Sequence, residues 1–273
     1  MNFHSDEWIM DRVREHYNDA LAYFPEDRIV GVYYQGSANY GLDYKESDVD
    51  TKLIVTPTFE DIAMNRKAIS TTHVRENNEH IDFKDVRLYM ETFRKQNLNF
   101  LEILFTPFKI INPMYAVEWE RLIDNRESIA RMNVHRAVKS MKGIAMEKYY
   151  AMEHRYPSKI DIIDKYGYDG KQVSHLLRVE DYLERYIAGE SYESCLHPTK
   201  SKRDRIMDYK LLDKISLAEA QVEAIRVKDH VTQIADAFCE VCEDEEDATM
   251  RKLLEDVQYN IMKIAIEKEF KKM

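Results

Sequence analysis

The chain has few cysteines, prolines and glycines, no excess of positive charge and no long apolar run. It holds three cysteines, six prolines and seven glycines in 273 residues. Three irregularly spaced cysteines cannot make a disulfide framework. Cys239-Glu-Val-Cys242 is a lone CxxC with no second ligand pair at similar spacing, so free thiols are expected there rather than a zinc site. So little glycine and proline excludes a loop-rich all-β fold. No apolar stretch approaches the roughly 20 residues of a membrane span. Residues 1–11 carry no apolar run, so no secretory signal is expected and the cytoplasm is the expected location. Lysine and arginine number 40 against 50 acids, a net charge of −10. That balance disfavours a long nucleic-acid footprint but still permits a local basic groove.

What is present suffices for a packed core, with 44% hydrophobic and 33% charged residues. Ser5 to Phe24 has the period of an amphipathic helix, with Ile9, Val13, Tyr17, Leu21 and Phe24 near one face. Ile29 to Gln35 is β-branched and aromatic and predicts a strand. Gly36 to Ser47 predicts a loop or short helical turn, and Asp50 to Val55 a second strand stopped by Thr56-Pro57. A helix is expected over 59–69. His73 to Arg75 and His80 to Phe83 flank a polar turn and predict a hairpin. From Asp85 the period becomes helical, and Pro107 and Pro113 bracket an irregular connection. Beyond it, helices are expected near 114–124, 127–154, 168–188, 217–240 and 248–272. The expected fold class is α+β: a mixed, mostly antiparallel sheet with helices on one side in a domain 1–110, then an all-helical domain 111–273.

The chemistry concentrates in Gly36-Ser37-Ala38-Asn39-Tyr40-Gly41 and Ser47-Asp48-Val49-Asp50. On an extended strand, residues i and i+2 share a face, so Asp48 and Asp50 project together. Carboxylates crowded in this way call for a cation, and Mg²⁺ takes carboxylate and phosphate oxygens. Gly36 allows close backbone approach, and the Ser37 hydroxyl with nearby amides can bind phosphate. Asp82, between Ile81 and Phe83, supplies a third carboxylate. Asp85 takes its place if the strand register differs.

This ordered set resembles the nucleotidyltransferases of the DNA polymerase β superfamily. The fuller string from Gly36 to Lys52, with Leu101-Glu102-Ile103-Leu104-Phe105 and the block from Tyr166 to Arg178, resembles the RNA-ligase-associated predicted nucleotidyltransferases of bacteria and phages. The resemblance spans roughly residues 30–190. It implies a polymerase-β-like sheet and a helical domain that closes the cleft. It further implies transfer of a nucleoside monophosphate from an NTP such as ATP to a hydroxyl, with Mg²⁺ or Mn²⁺ and loss of pyrophosphate. Asp48, Asp50 and Asp82 match the metal-binding catalytic carboxylates, and Gly36 and Ser37 match the phosphate-binding pair. No basic residue lies in the 38–43 loop where many members carry an arginine, so the charge is expected from Lys45, from Lys52 or from the helical domain. The acceptor is an RNA end, a protein hydroxyl or a small molecule. The competing expectation is an antitoxin-like partner module that binds nucleotide without turnover.

A second constellation lies at Lys171, His175 and Arg178, which share one helical face. Read with the resemblance, the row suits nucleotide phosphates: Lys171, His175 and Arg178 are the candidate nucleotide-binding residues, with Lys171 and Arg178 taking phosphate and a packed core histidine as the alternative for His175. Composition by itself favours a salt-bridged helix, with Arg178 paired to Asp181 or Asp169. Glu102, in an apolar segment, is expected to pair with a cation of the helical domain. The basic run Lys200 to Lys210 is expected as solvated loop and helix start, Glu243 to Asp247 as the junction of two helices. The tyrosines at 149, 150, 156, 166 and 168 are expected mostly in packing.

Overall fold

The computed structural model describes residues 3–212 and 214–272. The chain forms two compact units, residues 1–132 with 246–273, and residues 133–245. The expected division at 110 falls inside the first unit, and the last helix returns to that unit.

In the first unit, α1 (Asp6–Ala20) is capped by Ser5, whose side chain accepts from the Trp8 amide at 3.2 Å. The strands are β1 (Ile29–Gln35), β2 (Asp50–Val55), β3 (Ser70–Val74), β4 (His80–Asp85) and β5 (Lys109–Ile111). Between and after them lie α2 (Phe59–Ala63), α3 (Val86–Arg94), α4 (Leu98–Leu101), α5 (Ala116–Asp124) and α6 (Arg126–Ala130). The sheet order is β3-β4-β2-β1-β5. β2 and β4 run parallel, and the other pairs are antiparallel, so the sheet is mixed.

Helices cover both faces of this sheet, not one side as the sequence suggested. Six of the seven residues of β1 are buried in succession, the pattern of a strand covered on both sides. On one face, Ile9, Val13 and Ala20 of α1 pack with Val32, Tyr34, Leu53, Val55, Ile81 and Phe83. On the other, Tyr33 meets Trp119 of α5 at 5.1 Å between ring centroids, and Phe93 of α3 meets Trp119 at 6.5 Å.

The second unit is helical: α7 (Val134–Ala151), α8 (Ile160–Tyr166), α9 (Gly170–Ile187), α10 (Tyr192–Leu196), α11 (Lys200–Lys210) and α12 (Leu217–Val241). α9 packs against α7, α10, α11 and α12 and buries more residues than any other helix of the unit. α13 (Ala248–Phe270) then packs on α5 and α3 of the first unit.

Two expected helices end differently. α2 stops at Ala63 because Asn65 adopts a left-handed conformation (φ 48°) and the Arg66 amide turns back to the Asp61 carbonyl. The helix expected over 127–154 breaks where the Asn133 side chain accepts from the Arg136 amide at 2.8 Å and so caps α7. The basic run forms a full helix, α11, which buries Ile206, Tyr209 and Lys210. The acidic run does join two helices: α12 ends at Val241 and Asp247 caps α13. Of the five clustered tyrosines only Tyr168 is buried, at 1% exposure. Tyr150 and Tyr156 are exposed, contrary to a packing role. All three cysteines are free thiols.

Candidate functional site

The Gly36-Ser37 turn is built from Tyr34 upward. Its ring folds back under the end of β1, and a Cβ on Gly36 would stand 2.4 Å from the tyrosine oxygen. Only glycine fits there without displacing that ring. The Tyr34 hydroxyl accepts from the Ala38 amide at 3.1 Å. Buried Asn39 donates to the Tyr34 carbonyl at 3.3 Å and accepts from Thr106 at 2.8 Å. The Ser37 and Ser47 hydroxyls lie 3.2 Å apart, and Ser47 also accepts from the Tyr44 amide at 3.0 Å. These two serines tie together the ends of the 36–47 loop, which brings Gly36-Ser37 beside Asp48.

Val49 is 1% exposed and belongs to the core under α1. Asp48 is left exposed, just before β2. Asp50, the first residue of β2, keeps a side chain 33% exposed. Opposite it on β4, His80 donates its amide to Asp50 at 2.8 Å and places Nδ1 at 3.1 Å from the same oxygen.

The parallel register pairs Thr51 with Ile81 and Lys52 with Asp82. Asp50, Lys52, Asp82 and Lys84 therefore share the face opposite α1. Asp82 accepts hydrogen bonds from Lys52 and Thr72. Burial works to raise its pKa, but Lys52, Thr72 and Lys84 together outweigh burial and hold it below the usual carboxylate range. Asp85 points the other way. It is fully buried, caps α3 at the Arg87 amide and is forked by the Arg87 guanidinium at 2.9 and 2.6 Å. The carboxylate that shares a face with Asp50 is thus Asp82.

Asp48, Asp50 and Asp82 offer only oxygen donors, the set a hard divalent cation takes. Their oxygens are not mutually within 4.8 Å. Among the described residues only Glu180, Glu184 and His230 meet that criterion. Asp50 is drawn to His80 and Asp82 to Lys52, so closing on a cation requires side-chain rotation away from these partners. The Glu180 group is already neutralised. Arg226 forks Glu180 at 2.9 Å through each nitrogen, His230 adds a contact at 2.7 Å, and Lys202 lies 3.6 Å from Glu184.

Behind the aspartates lies a network that the sequence reading did not single out. Glu79, 4% exposed, binds Arg12 and Arg75, and its Oε1 accepts from the Val49 amide at 3.4 Å. His16, wholly buried, bridges Glu79 at 3.0 Å and the Thr51 hydroxyl at 2.9 Å. Glu79 and His16 therefore grip the chain on both sides of Asp50. The sequence offered one clue, a histidine three residues beyond Val13 on the apolar face of α1.

Cations line the same face of the sheet. Lys52 is 8% exposed and lies 5.0 Å from the centroid of Phe100. Lys84 lies 4.1 Å from that centroid, and its pKa is lowered by burial and by Lys52, against the pull of Asp82. Lys45 is exposed on the loop. Glu102 accepts a hydrogen bond from Tyr40 within the first unit.

Lys171, His175 and Arg178 stand on α9 in the second unit. Asp169 caps that helix at the Lys171 amide, 2.9 Å away, and Asp181 lies 3.6 Å from Arg185. Arg178 is 2% exposed. Burial, Arg178, Lys171, Lys148 of α7 and Lys210 of α11 hold the His175 imidazole well below its usual pKa, so it is neutral at pH 7. The row is therefore part of a larger basic locus spanning three helices.

Among the described residues no helix is long and apolar enough to cross a membrane. No known family model matches the chain, and no curated protein matches it.

Proposed function

We propose that the chain is a metal-dependent nucleotidyltransferase with a polymerase-β-like catalytic unit. One observation carries the reading: Asp50 and Asp82 share one face of neighbouring parallel strands, with Asp48 immediately before β2 and the Gly36-Ser37 turn tied to it through Ser47. Three oxygen-donor residues beside a phosphate-type turn are what in-line attack at an α-phosphate needs. An acceptor hydroxyl, that of an RNA end, a protein or a small molecule, attacks the α-phosphorus of an NTP. The bond to the β-phosphate oxygen breaks, pyrophosphate leaves with that electron pair, and the hydroxyl proton passes to solvent. Asp48, Asp50 and Asp82 would hold Mg²⁺ or Mn²⁺, which lowers the hydroxyl pKa and neutralises the leaving group. Gly36 and Ser37 would take the phosphate tail. Lys52, once released from Asp82, would add charge beside it. Lys171 and Arg178 form a basic locus of the second unit that would suit a phosphate group, with neutral His175 packed beside them.

The reading is tested by pyrophosphate release from each of four labelled NTPs with Mg²⁺ or Mn²⁺ and RNA as acceptor. Release should follow one NTP and disappear in the Asp48→Asn/Asp50→Asn variant. The engagement of Asp82 by Lys52 favours a second reading, a nucleotide-binding partner module without turnover. Metal-dependent NTP binding with no release under any acceptor would select it.

A further inference from the structure

Lys52 and Lys84 lie diagonally across the parallel β2–β4 pair, where Lys52 stands opposite Asp82 and Ile54 opposite Lys84. Both ammonium groups rest on one ring. The Phe100 centroid is 5.0 Å from Lys52 Nζ and 4.1 Å from Lys84 Nζ, and Tyr89 lies 6.0 Å from Lys84 Nζ. The negative ring face offsets part of the repulsion between two cations held so close. Asp82 serves Lys52, and among the described residues the Lys84 ammonium makes no hydrogen bond or ion pair. The two ammonium groups therefore share one carboxylate.

We propose that Lys84, with Lys52 and the Phe100 floor, is a phosphate-binding site on the inner wall of the carboxylate cluster. The proposal rests on Asp82 being a metal ligand. When the cation takes Asp82, Lys52 loses its partner, and both ammonium groups then face the same space without a counter-ion. A phosphate group is the anion that suits them, since lysine binds phosphate as a point charge with three donors. It belongs either to the NTP tail or to a phosphodiester of the acceptor. The exchange makes metal and phosphate binding mutually reinforcing, because each relieves the charge the other leaves behind.

The test is calorimetric titration of the full chain with inorganic triphosphate, and separately with a short oligoribonucleotide, each with Mg²⁺. The variants are Lys84→Gln and Lys84→Arg, with Lys67→Gln as a control that removes an exposed positive charge of the same unit. Lys84→Gln should weaken one of the two ligands about tenfold, while Lys84→Arg and Lys67→Gln stay close to wild type. Weakening of triphosphate assigns the site to the NTP, and weakening of the oligoribonucleotide assigns it to the acceptor. Wild-type affinity for both ligands in a folded Lys84→Gln protein overturns the proposal, and so does a wild type that binds neither. Nucleotidyl transfer is read separately, from pyrophosphate release and its loss in Asp48→Asn, so failure here leaves that activity standing.

Discussion

Val49 decides where the aspartates point: by entering the core under α1 it turns Asp50 to the opposite face of the sheet. Asp82 and Asp85 differ by three positions in sequence and by their whole environment in the fold. Asp82→Asn should lower transfer on the order of 100- to 1000-fold. It should also lower stability, on the order of 1–3 kcal/mol, because Lys52, only 8% exposed, loses its carboxylate partner. Asp85→Ala should leave transfer close to wild type while costing about 1–2 kcal/mol by loss of the α3 cap, visible as a lower melting temperature. The DxD pair and Asp82 were legible in sequence because alternation on a strand is local. Glu79 and His16 were not, because their bonds to Val49 and Thr51 join segments far apart in the chain. For Glu79, burial raises the pKa, but His16, Arg12 and Asn77 outweigh it, so the folded-state value is depressed. Its contribution is therefore present above the unfolded-state pKa of about 4.3 and is lost as pH falls towards the folded value. Glu79→Gln should melt earlier than wild type at pH 7, by about 3 kcal/mol, and the gap should narrow as the solution is acidified below about pH 4. An equal gap at both pH values would remove the electrostatic explanation.

The elements that matter most were legible, though not their full set. β1 and β2 appear where β-branched and aromatic runs end at Gly36 and Thr56-Pro57. β5 was not legible because three half-buried residues between two prolines carry no period, and only pairing with β1 makes them a strand. α11 was hidden because its charge gives it almost no apolar stripe, yet Ile206 and Tyr209 are buried. Gly170 explains how α9 and α11 approach. A Cβ there would stand 2.2 Å from the Tyr209 carbonyl oxygen. Gly170→Ala should therefore destabilise by about 1–3 kcal/mol in a denaturant melt, although alanine is the better helix former. A stabilised variant would mean that the two helices do not meet at this glycine.

At the scale of the whole molecule, the chain leaves the first unit after Met132 and returns at Glu246. The Asp247 amide donates to the Met132 carbonyl at 2.7 Å, so the exit and the return lie side by side. Replacing residues 133–245 by a short turn should thus leave the first unit folded, with a cooperative melt and mixed α+β circular dichroism. A molten or aggregated product would show that the unit needs the inserted helices. The sequence could not reveal this division. Helical periodicity looks the same in both units, and the return of α13 depends on its packing against α5 and α3.

The central claim, a carboxylate site that transfers nucleotide, is tested most directly by pyrophosphate release with each NTP and Mg²⁺ or Mn²⁺, wild type beside Asp48→Asn/Asp50→Asn. The account predicts metal-dependent release in wild type and none in the folded variant. Release that is equal in the two proteins would contradict it.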